Sequence, residues 1–520
     1  MASSTKLRTR RTIKDKAQAW LKGTNAQDTV KDWRGAKTEG GGYATVPELP
    51  MHRATSRQVC GYWPFVNGSA APIIGAQLGR HFTTGEPVGF DPLAWHRQGI
   101  INQPSAMIVA NTGMGKSSLL RKQVIGVEAS GTHCMFLGDY KNEHSKLMKV
   151  IDGVVIPVGP GRGVINIVDP GAAVAAANRI LSECEDKQLA NALATKLLDD
   201  MMYRCQNLVV AVIGIFRSAI VTGHEEAILG AALAYIHDQA TDEPPILADV
   251  LRVLRDAPKS VRAVANDHGN IDEYWATIRN LENDLTGLTS GSGIGRMFNG
   301  QSSNQVPLDR PVSFDISSIS AERKDMLGAA YIACWAAGFG AINVSHALSD
   351  AGLEKAQQFY AIMDEFWLPI SSGPGMVARC NAMTRLNRTE GVGLAYAIHT
   401  LLDLENMENP ADRAAAYGIV ERCGAIVLGG LSRREVAAVS KVYQLTDEET
   451  ELLVSWARRP SLDSRNHRQV MPGLGKVLIK VGESSSVAVE IKFSAAEIEE
   501  NVHDTNQRLK NDQWEEGGAA

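Results

Sequence analysis

Eight consecutive residues carry the clearest chemistry in the chain. Ala110-Asn111-Thr112-Gly113-Met114-Gly115-Lys116-Ser117 fits the phosphate-binding P-loop pattern, with Ala110 where the first glycine is usual. Gly113 and Gly115 permit a tight turn that points several N–H groups at phosphate, at the positive end of a helix opening near Lys116. In that arrangement Lys116 neutralises the β- and γ-phosphates and the Ser117 hydroxyl holds Mg2+. Asn111, Thr112, Gly113, Met114, Gly115, Lys116, Ser117 and Ser118 are therefore the expected ATP-binding residues. The plain alternative is a Gly-rich turn.

A phosphate loop of this kind requires acidic groups at the end of a second buried strand. Phe359-Tyr360-Ala361-Ile362-Met363 runs into Asp364 and Glu365. Asp364 is the expected Mg2+-shell carboxylate, and Glu365 the expected general base for water attacking the γ-phosphate. The competing reading is a strand that ends in two solvent-facing acids. A further apolar run, Cys134 to Leu137, leads through Gly138 to Asp139 and on to Tyr140-Lys141-Asn142-Glu143. Glu143 is a supporting catalytic candidate near the γ-phosphate or a subunit boundary, against the simpler role of helix capping. His399 follows the run Leu394 to Ile398 and is able to donate one hydrogen bond to phosphate or water, although a lone histidine also has a structural reading.

The elements that must position these groups follow from periodicity. Ala106 to Ala110 is a compact apolar run bounded by turn residues, as a buried parallel strand should be, and Ser118 to Ile125 continues as helix. From Tyr62 to Pro104 short apolar pieces alternate with turn signals, predicting small strands before the main sheet (residues 59–104). About 190 residues separate Pro170 from Phe359, too many for one crossover. Their pattern is helical from Ala172 to His237 and from Pro244 to Leu288, which predicts an all-helical insertion over residues 172–300. Val312 to Ile316 then returns to the sheet, with Asp315 in a structural role. The glycines between Gly287 and Gly300 read either as a mobile loop coupled to nucleotide state or as a solvent turn. Lys476 to Val481 and Val487 to Phe493 alternate across Gly482 to Ser486, a hairpin pattern expected to extend one sheet edge. Thr446-Asp447-Glu448-Glu449 is a capping box, so its acids need no catalytic role. The expected fold is an α/β P-loop core of residues 105–171 and 301–510, with a mostly parallel central sheet, the helical insertion and the C-terminal β-hairpin. A basic N-terminal tail (1–58) and a disordered end (511–520) complete the organisation.

Composition sets the outer limits. The 520 residues are 44% hydrophobic and 21% charged, which excludes wholesale disorder. A net charge of -5 excludes a uniformly basic nucleic-acid-coating surface, so any DNA contact must be local. The seven cysteines are scattered without CxxC spacing or histidine partners, which fits a reducing cytoplasm and no zinc site. The basic N-terminus (Lys6, Arg8, Arg10, Arg11, Lys14, Lys16) lacks the apolar core of a secretory signal and is expected to be a solvated tail or a contact for anionic lipid. Met326 to Val344 is uncharged but Ala/Gly-rich, and is expected to be a buried core helix rather than a membrane span.

With these stretches in place, the chain resembles the VirB-type conjugative and type IV secretion ATPases (TraC/TrbE-like) of the HerA/FtsK group of motors, in the short form of actinobacterial mobile elements. The resemblance runs from Tyr62 to Arg508. It rests on residues 111–117, Asp139 to Glu143, and Gly161 to Pro170 with Asn166, Asp169 and Pro170. The Met363-Asp364-Glu365 strand, His399 to Leu404, Leu431 to Glu435 and Leu445 to Asp447 follow in the family's order. It implies a RecA-like hexameric ring hydrolysing ATP with Mg2+ to power substrate transfer or apparatus assembly. An arginine from the next subunit completes each site, and Arg385 and Arg388 occupy that stretch, Arg388 being favoured. His399 stands where the wider group has a γ-phosphate-sensing glutamine. The implied location is cytoplasmic, peripheral at the inner face of the membrane through membrane components of the apparatus. The family's larger N-terminal docking domain has no counterpart before Ser105, so docking falls to another polypeptide. Two other functions compete with this one: a DNA translocase or coupling protein, with DNA itself as partner, and a non-catalytic scaffold ordered by ATP.

Overall fold

The computed structural model describes residues 73–239, 243–291, 293–385, 391–407, 409–458, 461–462, 469–483 and 486–503. The strands are β1 (Gln77–His81), β2 (Pro87–Gly89), β3 (Ser105–Val109), β4 (His133–Asp139), β5 (Val154–Pro157), β6 (Val312–Asp315), β7 (Phe359–Met363), β8 (Val392–Ile398), β9 (Ala425–Leu428), β10 (Ser461–Leu462), β11 (Gln469–Val470), β12 (Lys476–Lys480) and β13 (Val487–Ile491). Eleven of them form one sheet in the order β2-β1-β13-β12-β9-β3-β8-β7-β4-β6-β5, and β10–β11 is a separate ribbon. From β9 to β5 every neighbouring pair is parallel. The apolar runs that predicted strands are these, and β3, β7 and β8 are buried along their whole length, as strands covered on both faces must be.

Strand alternation divides the core in two. Met107, Val109, Met135 and Leu137 face one side, and Ala106, Ile108, Cys134 and Phe136 the other. The second face is covered by the helix Lys116–Ala129. The first is covered by the helix Lys324–Asp350 and by helices that lie between β5 and β6, among them Lys187–Arg217, Gly223–Gln239, Leu247–Asp256 and Ile271–Thr289. Leu208, Val212, Ile228, Leu251 and Leu281 share one apolar cluster with the sheet, so these helices complete its core. Lys324–Asp350 is long and apolar enough to cross a bilayer, with a mean hydropathy of 1.5, yet 83% of its most apolar window is buried inside the fold. Gly138, at φ 138°, lets this helix sit close: a Cβ there would stand 2.2 Å from the Tyr331 ring.

Two local readings change. The C-terminal hairpin does not lie at the edge, because β13 pairs with β1 and β12 with β9, leaving β2 outermost. The glycines after Leu288 lead into a short packed helix, Gly295–Phe298, in which Met297 and Phe298 are buried, as is Ile294 before it. The capping box is present: Thr446 accepts from the Glu449 N–H at 3.2 Å, and Glu449 from the Thr446 N–H at 2.9 Å. Asp315 is structural, accepting from the backbone and hydroxyl of Ser317. The six described cysteines are buried, and none of them forms a disulfide.

Candidate functional site

In a parallel sheet the loops at the C-terminal strand ends share one rim, and strand order decides which of them meet. Here β8 lies between β3 and β7, with Val109 paired to Ile398 and Met363 to Tyr396. The loop after β3, Asp364-Glu365 after β7 and His399 after β8 therefore converge.

The β3 loop ends in Gly113 (φ 83°) and Gly115 (φ 95°), both in the left-handed region that glycine adopts at least cost. Gly115 is the N-cap of Lys116–Ala129 and no side chain caps that helix. The N–H groups of its first turn thus have no helical or side-chain acceptor and form a seat for an anion. Asn111 opens the loop and donates to Glu435 Oε2 at 3.0 Å. Glu435 is itself fixed by a capping box with Ser432 at the start of Arg433–Val439. On the other side, Gly475 donates its N–H to the Met114 carbonyl at 3.3 Å. Thr112 and Gly113 are exposed, and Ser117 and Ser118 half-buried at the helix mouth.

Lys116 is buried, with its ammonium 2.6 Å from Asp364 Oδ1 and 3.5 Å from Glu365 Oε1. Burial alone pushes the ammonium pKa down, and the two carboxylates outweigh that and raise it. Asp364 is drawn the other way: burial opposes its charge, but Lys116 and then His144 hold it well below the usual carboxylate range. His144 stacks on Phe136 at 3.7 Å, with Nε2 3.6 Å from Asp364 Oδ2, beyond hydrogen-bonding distance. Glu365 is likewise held well below its ordinary range, against burial, by the His399 hydrogen bond and by Lys116.

Four groups surround the Glu365 carboxylate. Oε1 lies 2.8 Å from Lys141 Nζ, 2.9 Å from His399 Nε2 and 3.5 Å from Lys116, and Oε2 accepts from the Trp367 indole at 3.0 Å. Its backbone sits at φ 53°, a left-handed conformation costing a non-glycine residue about 1–2 kcal/mol. The surroundings impose it: the Glu365 N–H reaches Asp364 Oδ1 at 3.0 Å, and the next residue, Phe366, is buried and bonds its N–H to Ala397 on β8 at 3.0 Å. Such strain beside a buried cluster of charged groups points to a functional site.

Glu143 has a different setting from the other candidates. Its backbone carbonyl accepts from the buried Arg121 at 2.8 Å and its carboxylate lies 3.9 Å from that guanidinium. Asp139 braces the turn by accepting from the N–H groups of Glu143 and His144. Arg385 ends the helix Met376–Arg385, its side chain lying outside the described residues, as Arg388 does entirely. Lys141, Trp367, His144 and Glu435 are site residues that sequence reasoning missed. Lys141 and Glu435 stood inside motifs already singled out, whereas Trp367 and His144 carried no signal of their own.

The arrangement has the layout of a P-loop nucleotide site, a phosphate loop set against a buried acidic pair. No protein-family model matches the chain, and no curated protein matches it. Among solved structures it is similar to VirB4 of Thermoanaerobacter pseudethanolicus, at 16% identity and a TM-score of 0.56, over 83% of this chain and 99% of that one. It is also similar to the unbound bacterial conjugative coupling protein TrwB (12% identity, TM-score 0.44, 82% and 89% covered). For plasmid coupling protein TrwB in complex with ADP and Mg2+ the figures are 13%, 0.43, 81% and 90%. The fold of this chain is the RecA-like α/β fold of VirB4.

Proposed function

We propose that this chain is an ATP-hydrolysing motor of a conjugation or type IV secretion machine. The observation that carries hydrolysis is the buried Lys116 of the phosphate loop held between Asp364 and Glu365, with the base's carboxylate gripped from every side. The secretion role rests on the likeness to VirB4 across nearly the whole of that chain.

In this reading the uncapped N–H groups of residues 115–118 and the Lys116 ammonium take the β- and γ-phosphates. Lys116 must leave Asp364 to do so, and that frees a carboxylate; the Ser117 hydroxyl, half-buried at the helix mouth, is the second oxygen donor of this reading. These two hard oxygen donors suit Mg2+, which takes one or two protein oxygens and fills its shell with phosphate and water. Among the described residues no group of three or more His, Cys, Asp and Glu forms a metal cage. Bound there, Mg2+ supplies charge neutralisation on the phosphates. Glu365, ionised and aimed, accepts the proton of the attacking water, and His399, bonded to Glu365 and 3.5 Å from the Ala110 carbonyl, ties the base to the phosphate loop. Arg388, or Arg385, reaches the γ-phosphate of a neighbouring subunit in a hexameric ring. The location at the inner membrane face, through membrane components of the apparatus, belongs to the same proposal.

The test is steady-state ATP hydrolysis by the purified chain and by Glu365→Gln, with and without single- and double-stranded DNA, while oligomer size is followed. Hydrolysis that Glu365→Gln abolishes and DNA leaves unchanged supports a secretion motor. Strong stimulation by DNA shifts the reading to a DNA translocase. Nucleotide binding with an ordered oligomer and no hydrolysis leaves a scaffold.

A further inference from the structure

The phosphate-loop lysine has two engagements that it cannot keep at once. Its ammonium is 2.6 Å from Asp364 and 3.5 Å from Glu365, and phosphates seated on residues 113–118 require it to turn away from both. Glu365, whose side chain is 6% exposed, then loses a cation at the moment its carboxylate must stay charged and pointed at water.

We propose that Lys141 takes over this duty, as the residue that positions Glu365 once nucleotide has drawn Lys116 away. This inference rests on the nucleotide reading above. Lys141 Nζ lies 2.8 Å from Glu365 Oε1, closer than Lys116 does, and Glu365 is its ion-pair partner among the described residues. It comes from the loop after β4, the neighbour of β7 on the side away from β8 and β3. Its stem is 44% exposed and rises from the turn after β4, so phosphates filling the β3 loop leave its contact with Glu365 intact. The turn is built to aim it: Asp139 accepts the N–H groups of Glu143 and His144 at 2.9 and 2.8 Å, and Asn142 holds a left-handed φ of 53°. With His399 on the same oxygen and Trp367 on the other, Lys141 completes a clamp that fixes the carboxylate without using the phosphate-binding lysine. Lys141 is a positioning residue, acting on the reaction through Glu365.

The experiment compares full-length chain carrying Lys141→Ala or Lys141→Arg with wild type. It measures kcat and KM for ATP, and the Kd of a fluorescent ATP analogue in the presence of Mg2+. Lys141→Ala is expected to lower kcat on the order of 10- to 100-fold, the cost of a misplaced base, with Kd held within about twofold. Lys141→Arg should recover most of kcat, since a guanidinium makes the same charged hydrogen bond. Three results overturn the proposal: an unchanged kcat, a raised kcat that would make Lys141 a brake, or a loss of Kd in step with kcat that would make it a phosphate ligand. Wild-type chain that neither binds nor hydrolyses nucleotide refutes the nucleotide reading itself, whereas active Lys141→Ala at wild-type kcat refutes this inference alone.

Discussion

Glu365→Gln should bind ATP more tightly than wild type while hydrolysing it far more slowly. Lys116 is 3.5 Å from Glu365, an attraction of about 5 kcal/mol at an effective dielectric constant near 20. Most of that is offset by burying the carboxylate, whose side chain is 6% exposed, and Lys116 keeps its shorter bond to Asp364 in the variant. A net release of roughly 1–2 kcal/mol is left, to which the loss of a negative charge facing the γ-phosphate adds. ATP affinity should therefore rise about tenfold. Hydrolysis should fall by about 10²–10⁴, the usual contribution of a general base. The shape change is minimal, and the single amide oxygen of glutamine can accept on the side of Lys141 and His399 or on that of Trp367, but not on both. Equilibrium titration with a fluorescent ATP analogue gives Kd, and single-turnover hydrolysis gives the rate. A weaker or unchanged Kd in Glu365→Gln would mean that Lys116 is not held back by the acidic pair, and the reasoning from the buried triad would be wrong.

Other substitutions probe the supports of the site. Glu435→Ala removes both the Asn111 anchor and a helix cap, and should raise KM for ATP several-fold and lower stability by about 1–2 kcal/mol in thermal unfolding. Glu497→Ala strands the buried Lys122 ammonium, which its carboxylate holds at 2.9 and 3.0 Å, and should destabilise the chain by about 3–5 kcal/mol in urea titrations. The double variant Lys122→Met/Glu497→Met should recover most of that loss. His503 is pushed down to about 3 by burial and then by Arg121 and Lys122, with Glu497 Oε2 4.0 Å away. Because the unfolded chain takes up the proton first, stability should fall as pH drops below about 6.5, by roughly 2 kcal/mol at pH 5, and His503→Gln should flatten that slope in unfolding curves.

Much of the nucleotide site was legible because its chemistry is local in sequence. Gly113, Gly115, Lys116 and Ser117 lie within five residues, and Asp364 and Glu365 are adjacent, each set directly after an apolar run that could only be a buried strand. What sequence could not supply was the order of strands. That β8 separates β3 from β7 is a tertiary fact, and it alone brings His399 within 2.9 Å of Glu365. The same limit applies to the C-terminal hairpin, whose alternation was plain, but whose place inside the sheet depends on β1 pairing with β13 across most of the chain. Glu143, a supporting candidate near the γ-phosphate or a subunit boundary, lies against Arg121 on the turn braced by Asp139, while its neighbour Lys141 reaches Glu365.

The base is also the point from which the chain leaves the site towards the helices between β5 and β6. Glu365 runs into the short helix Trp367–Ile370 and then Met376–Arg385, whose Arg379 forms an ion pair with Glu226 on Gly223–Gln239 and lies 3.4 Å from Asn207 on Lys187–Arg217. Phe366, next to the base, is wedged between Trp335 of Lys324–Asp350 and Tyr396 of β8. Glu365 therefore sits at the head of a packed path into the helical layer. Close packing of Phe366 on both sides leaves little slack in that path, so movement of Glu365 has to be taken up by the helices themselves.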